Sequence, residues 1–207
     1  MRILIASVIC LGLLSGCSNT KTKEDAGAKE STSQVVAPKD EDIRIIAEQT
    51  GTDTLKGSLK ARAMGTIGNA GITINYYSPA VRGRVIWGGL VPFNNVWVTG
   101  AHRATSIDFN QEVIIGDVNI PPGKYALFTI PGKEEWIIII NKNWDQHLAD
   151  NYDQKEDIVR VLVKPEIKNV NQERLRYSVE SEGDMDGKVV IYWEMVAISL
   201  PITATIM

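Results

Sequence analysis

From Ser58 to the C-terminus, apolar residues recur at every second position in short runs, the period of a strand with one buried face. Ile72-Thr73-Ile74-Asn75-Tyr76-Tyr77 alternates in this way and follows Gly68-Asn69-Ala70-Gly71, whose composition suits a hairpin turn. Further strands are predicted over Ala104–Phe109, Glu112–Ile115, Lys124–Ile130, Trp136–Asn141, Asp157–Val163, Arg174–Glu180, Lys188–Glu194 and Val196–Leu200. Pro121-Pro122-Gly123, Pro131-Gly132-Lys133 and Asp184-Met185-Asp186-Gly187 punctuate them as turns. Trp136-Ile137-Ile138-Ile139-Ile140 has no polar position, which predicts a central strand covered on both faces. No helical period interrupts the series. The expected fold is therefore all-β, an antiparallel β-sandwich or partly closed barrel over residues 58–207.

Upstream the pattern differs. Arg2 precedes an uncharged run from Ile3 to Leu14, too short to span a bilayer, which closes on Leu14-Ser15-Gly16-Cys17. Small residues leading directly into a cysteine match the lipobox of bacterial lipoproteins. There the thiol is alkylated by diacylglycerol, the preceding peptide is cut, and the new terminus is acylated, commonly with palmitate. Residues 1–16 are thus expected to be a signal peptide and Cys17 the lipidated residue, anchoring the protein in the cell envelope at the outer membrane, facing either the periplasm or the surface. Residues 17–57 read as a flexible tether, since Ser18 to Asp42 is polar and nearly free of large apolar side chains. Lys23-Glu24-Asp25 resembles a surface-export signal and equally suits a charged linker. In Asp42–Gln49, Ile43, Ile46 and Ala47 share one face at helical spacing and predict a short helix.

Charge and cysteine content narrow the function. The full chain carries a net −3, and losing Arg2 with the signal peptide leaves about −4, without the concentrated basic face that nucleic acid requires. Of two cysteines, Cys10 leaves with the signal and Cys17 takes lipid, so neither a disulfide nor a thiolate metal site is available. Stability has to come from the apolar core.

Several motifs together carry a likeness. Tyr77-Ser78-Pro79-Ala80-Val81-Arg82-Gly83-Arg84, Trp87-Gly88-Gly89-Leu90-Val91-Pro92, Val96-Trp97-Val98-Thr99-Gly100-Ala101 and Ile120-Pro121-Pro122-Gly123-Lys124-Tyr125-Ala126-Leu127-Phe128-Thr129-Ile130-Pro131-Gly132 occur in this order. Glu135-Trp136, Asn141-Lys142-Asn143, Tyr152-Asp153, Asp157 to Pro165, Trp193-Glu194 and Ser199-Leu200-Pro201-Ile202 continue it. The stretch from Thr66 to Thr203 resembles a bacterial envelope family of domains of unknown function, family 2911. The resemblance implies an exported β-rich domain and no particular activity. Where that family usually has Asn-Glu after Thr-Gly-Ala, this chain has His102-Arg103. An acidic group with a role in the family would be lost or changed here.

Candidate chemistry is densest between Ser78 and Thr105. Arg82, Arg84 and Arg103 supply cations, Thr99 a hydroxyl, Trp97 an indole and His102 an imidazole, beside glycines that let a ligand approach the backbone. A ligand site on Arg82, Arg84, Trp97, Thr99, His102 and Arg103 would take a small polar molecule, a glycan or an envelope protein. It requires the Ser78–Arg84 loop to lie beside Thr99–Arg103. Alternatively, Trp97 belongs to the core and the arginines are solvated. His102 and His147 are the only histidines, and Asp145, His147, Asp150 and Asp153 share one loop at no recognised metal spacing, so no metal or cofactor is expected. No nucleophile motif, phosphate loop or dinucleotide fingerprint occurs. The expected function is a noncatalytic binding or structural module of an envelope lipoprotein. The alternative is a hydrolase or metal-dependent enzyme built on His102, His147 and nearby carboxylates.

Overall fold

A computed structural model of the chain describes residues 42–49, 51 and 53–206. The lipobox with Cys17, the Lys23-Glu24-Asp25 run and most of the tether lie outside the described residues. Ten strands follow one another: β1 (Leu59–Ile67), β2 (Ala70–Ser78), β3 (Thr105–Phe109), β4 (Val113–Ile115), β5 (Val118–Ile120), β6 (Gly123–Ile130), β7 (Trp136–Asn141), β8 (Asp157–Val163), β9 (Glu166–Ser181) and β10 (Asp186–Ala204). They form a six-stranded sheet in the order β1-β2-β3-β6-β7-β8 and a four-stranded sheet in the order β5-β4-β10-β9. Every pairing between these strands is antiparallel. The two sheets remain separate, so the architecture is a sandwich rather than a closed barrel. One side is stitched by an antiparallel bridge between Ala80, just past β2, and Arg174 on β9.

Alternation decides which side chains meet between the sheets. Ile72, Ile74 and Tyr76 of β2 point inward with Ile107 and Phe109 of β3, Leu127 of β6 and Ile138 and Ile140 of β7. They face Leu175 and Tyr177 of β9 and Val189, Ile191 and Trp193 of β10. At the β1 end the sheets almost touch: a Cβ on Gly65 would stand 2.6 Å from the Cβ of Val179, so only glycine fits. Gly68 turns the β1–β2 hairpin with φ +55, the left-handed region that glycine adopts without a side-chain clash.

Strand β7 lies between β6 and β8 and is covered twice. Ile138 and Ile140 enter the core, while Ile139 packs with Phe128, Val98 and Ala126 under loops on the opposite face. The sequence expectation of a strand without a solvent face is met.

Asp42–Gln49 is not helical, and no α-helix occurs among the described residues. The segment is extended: Arg44 forms a parallel bridge with Ala61, its N–H donating to Lys60 O (2.9 Å) and its carbonyl accepting from Arg62 N–H (2.9 Å). An isolated eight-residue helix is marginal in water, whereas the open edge of β1 offers backbone partners immediately. Farther along, Gln49 N–H donates to Gln172 Oε1 (3.2 Å), and Asp53 pairs with Arg174 at 2.6 Å with both side chains buried. The Arg174 guanidinium also donates to the carbonyls of Leu55, Gly57 and Ser78 at 2.7–3.1 Å. The described residues among 43–57, expected as tether, are therefore a strap tied to β1 and β9.

Candidate functional site

The six residues singled out by sequence fall into three places. Trp97 and Thr99 belong to the framework. Residue 97 bridges Thr129 of β6, with N–H···O distances of 2.7 and 2.9 Å, and its ring stacks on Trp193 with centroids 5.6 Å apart. Trp87 meets Trp97, Trp136 and Trp193 edge-on at 4.7–5.8 Å, so four indoles close one end of the core. Thr99 is fully buried; its hydroxyl lies 3.0 Å from that of Thr129, and its carbonyl accepts from Thr105 Oγ1 (3.0 Å) and the Tyr177 hydroxyl (2.6 Å). Burial pushes the Tyr177 hydroxyl well above its usual range, which keeps it a neutral donor.

Arg82, Arg84 and His102 come together around a shallow pocket of about 180 Å³, floored by Gly57, Ser58, Pro79 and Ala80. The loop after β2 is set by Glu173, whose carboxylate accepts from Arg82 N–H at 2.8 Å. Arg82 then donates to Leu55 O on the strap, and Arg84 reaches back to Ala80 O and Val81 O. Neither guanidinium forms a salt bridge among the described residues. His102, at φ +64, sets its ring edge-on to Tyr77 with centroids 5.0 Å apart. The Ser78–Arg84 and Thr99–Arg103 segments are thus adjacent.

Arg103 turns the other way and lines a larger cleft of about 290 Å³ on the outer face of the six-stranded sheet. Its floor carries Lys60, Asn75, Tyr77, Ser106 and Lys124, and Trp144 stands at its rim. Register explains the grouping: Lys60 opposes Tyr77 in one outward row, Asn75 opposes Ser106 in the next, and Lys124 opposes Asp108 in the one beyond, so adjacent outward rows of β1, β2, β3 and β6 supply the floor. Lys124 Nζ lies 4.2 Å from the Trp144 ring centroid, a cation–π contact, and Arg103 pairs with Asp145 in solvent. Asp108 flanks the cleft opposite Lys124; burial raises its carboxyl above the usual range, opposed by the charges of Lys124 and Arg62.

The loop bearing Trp144 is pinned from beneath. Asn141 Nδ2 donates to Asp157 (2.8 Å), whose other oxygen accepts from the Tyr152 hydroxyl (2.7 Å) and Arg160 (2.9 Å). Burial and the neighbouring Asp157 push the Tyr152 hydroxyl up to about 12. His147 is paired at 2.8 Å with Asp150, both exposed. Backbone bonds bring the two histidine segments together, Leu148 N–H donating to His102 O, but one ring contacts Tyr77 and the other Asp150. Among the described residues, no three His, Cys, Asp or Glu side chains are grouped to hold a metal ion.

Lys60, Tyr77, Lys124 and Trp144 were not singled out by sequence reasoning. Strand alternation alone puts the first three on outward faces, but only the β1-β2-β3-β6 order makes them neighbours.

Over residues 58–202 the chain matches the model of a family described as protein of unknown function (DUF2911). No curated protein and no solved structure matches it. The chain belongs to this family.

Proposed function

We propose that this member of the DUF2911 family is a lipid-anchored module of the bacterial envelope that binds an anionic ligand rather than transforming one. The observation that carries the binding role is the pocket of Arg82, Arg84 and His102, which has two guanidinium groups and no carboxylate in its lining. Arginine's planar fork suits carboxylate, sulfate or phosphate groups. Each guanidinium is braced by backbone carbonyls, so the charge is held in position without being neutralised. The noncatalytic role draws support from the same lining, which offers no acid to act as a proton acceptor beside His102. The anchoring role draws on Leu14-Ser15-Gly16-Cys17 after an uncharged run. Acyl chains contribute about 0.8 kcal/mol per buried methylene.

Two measurements test the proposal. Cys17→Ala should leave an uncleaved precursor or shift the protein out of the membrane fraction; normal processing with full membrane retention would refute anchoring through this residue. Titration with inorganic phosphate or sulfate should show binding that Arg84→Ala weakens on the order of tenfold, the loss of one charge-assisted contact. Absence of binding, or binding indifferent to Arg82→Ala and Arg84→Ala, would refute the pocket as an anion site.

A further inference from the structure

The pocket and the outer cleft are neighbours, and their junction is narrow. Ser58 lines the pocket and Lys60 the cleft, two residues apart on one extended segment, about 7 Å. His102 lines the pocket and the next residue, Arg103, lines the cleft. His102 of the pocket and Tyr77 of the cleft meet edge-on, so a wall of one depression touches a wall of the other.

Charge is segregated along this path. Arg82 and Arg84 line one depression and Lys60, Arg103 and Lys124 the other, five of the 22 Lys and Arg residues in a chain of net charge −3. Neither lining contains an aspartate or glutamate; Asp145 and Asp108 stand beside the cleft, on Arg103 and across from Lys124. Lys60 has no ionic partner among the described residues. Among the cations stand two aromatic rings, Tyr77 and the indole of Trp144, which has Lys124 Nζ over one face and is still 38% exposed where tryptophan is ordinarily well covered. Cations spaced along a groove and separated by aromatic surface match a chain of rings that carries a negative group at intervals. A lone phosphate would fill only one end.

Resting on the anion-binding role of the Arg82/Arg84 pocket, we infer that pocket and cleft form one continuous groove for a linear acidic polysaccharide. The Arg82–Arg84–His102 end takes one anionic substituent, Tyr77 and Trp144 meet sugar rings, and Lys60 and Lys124 take the next substituent. Linking the two ends through one ligand turns the second contact into an intramolecular one, so affinity must grow with chain length.

Isothermal titration of the full chain in detergent with galacturonic acid and with α-1,4-linked galacturonate oligomers of two to six units tests this. The hexamer is expected to bind at least tenfold more tightly than the monomer. Lys60→Ala and Arg84→Ala, at opposite ends, should each weaken the hexamer on the order of tenfold, and Trp144→Ala should weaken it too, with circular dichroism confirming that each variant is folded. No gain with length, or loss from only one end, would overturn the continuous groove while leaving phosphate binding at Arg84 intact. Equal affinity for maltohexaose would overturn the charge argument, and equal affinity for polyglutamate of matched charge would overturn the saccharide assignment. If phosphate and every oligomer fail together, the pocket reading falls with the groove.

Discussion

The outer faces of the two sheets are both rich in charge and arranged on opposite plans. On the four-stranded sheet cations sit beside acids: Lys168 with Glu166 at 2.6 Å, Lys188 with Glu182 at 2.5 Å and Glu180 at 3.9 Å. Arg176 lies over the Tyr192 ring, whose hydroxyl donates to Glu180 at 2.9 Å, and the shallow depression there includes Glu48 in its wall. Burial pushes the Glu180 carboxyl up, yet hydrogen bonds from Ser178 and Tyr192 together with the charges of Lys188 and Arg176 outweigh it and hold the carboxyl below its usual range. On the six-stranded sheet the cations of the groove have no acid in the lining. Interspersed opposite charges make an edge-bearing sheet soluble and unattractive to other strands. Cations gathered around a concave surface, of which only Arg103 forms an ion pair among the described residues, cost stability through mutual repulsion and are retained where something else supplies the counter-charge.

Three substitutions press on that contrast. The largest effect belongs beneath both faces: Ile138 is 1% exposed in the shared core, and Ile138→Ala should cost about 2–5 kcal/mol through lost transfer energy and a cavity. A denaturant midpoint unchanged within error would show that the framework is not where the structure puts it. Next comes the strap that floors the pocket. Asp53→Asn leaves Arg174 buried with three carbonyl acceptors but no counter-charge, and should cost about 1–3 kcal/mol. Phosphate affinity should fall alongside, because Leu55 O braces Arg82; retained stability and affinity would separate strap from pocket.

The smallest effect tests the exception. Asp108 is an acid on the basic face, beside Lys124, and burial raises its carboxyl above the usual value. A raised carboxyl binds its proton more tightly folded than unfolded. The contribution of Asp108 to stability is therefore greatest below the unfolded value near 4 and is lost as pH rises through the folded value. Asp108→Asn should abolish this acid-side gain and shift stability at neutral pH by no more than about 0.5 kcal/mol. It should also tighten binding of the galacturonate hexamer. Weaker binding in the variant would mean that Asp108 belongs to the ligand's own contacts.

Where backbone pairing followed side-chain period, the fold was legible from the chain. β2, β3, β6, β7 and β8 stand where alternation and turn residues place them. β1 was less visible because its inward positions are Ala61, Ala63 and Gly65, small residues demanded by the close approach of β9 and weak as a hydrophobic signal. β10 runs unbroken for 19 residues where two strands, Lys188–Glu194 and Val196–Leu200, were expected, and Glu194 at their junction takes φ +56. Its pairing with β9 shifts register around Glu194, and Pro201 falls between the stretches bonded to β9 and to β4, where a missing N–H leaves no ladder bond unmade. The helix expected over Asp42–Gln49 failed because a local period was read without the sheet edge that competes for its backbone. For the site, Arg82, Arg84 and His102 were visible because they cluster in sequence. Lys60, Lys124 and Trp144 were not, because nonlocal register and the loop pinned by Asp157 make them neighbours.

The strap also defines a line of mechanical load. Wherever the chain upstream of Asp42 is held, a pull along it reaches the domain first at the two backbone bonds between Arg44 and β1. It reaches next the hydrogen bonds of Ala47 and Gln49 with Gln172, and after them the buried anchor of Asp53 on Arg174. Because Leu55 O is shared by Arg174 and Arg82, and Gly57 O binds Arg174 while the same residue floors the pocket, tension arriving through the strap ends on the groove's own bracing. Two carbonyl groups thus carry the load path from the strap to the guanidinium groups of Arg174 and Arg82.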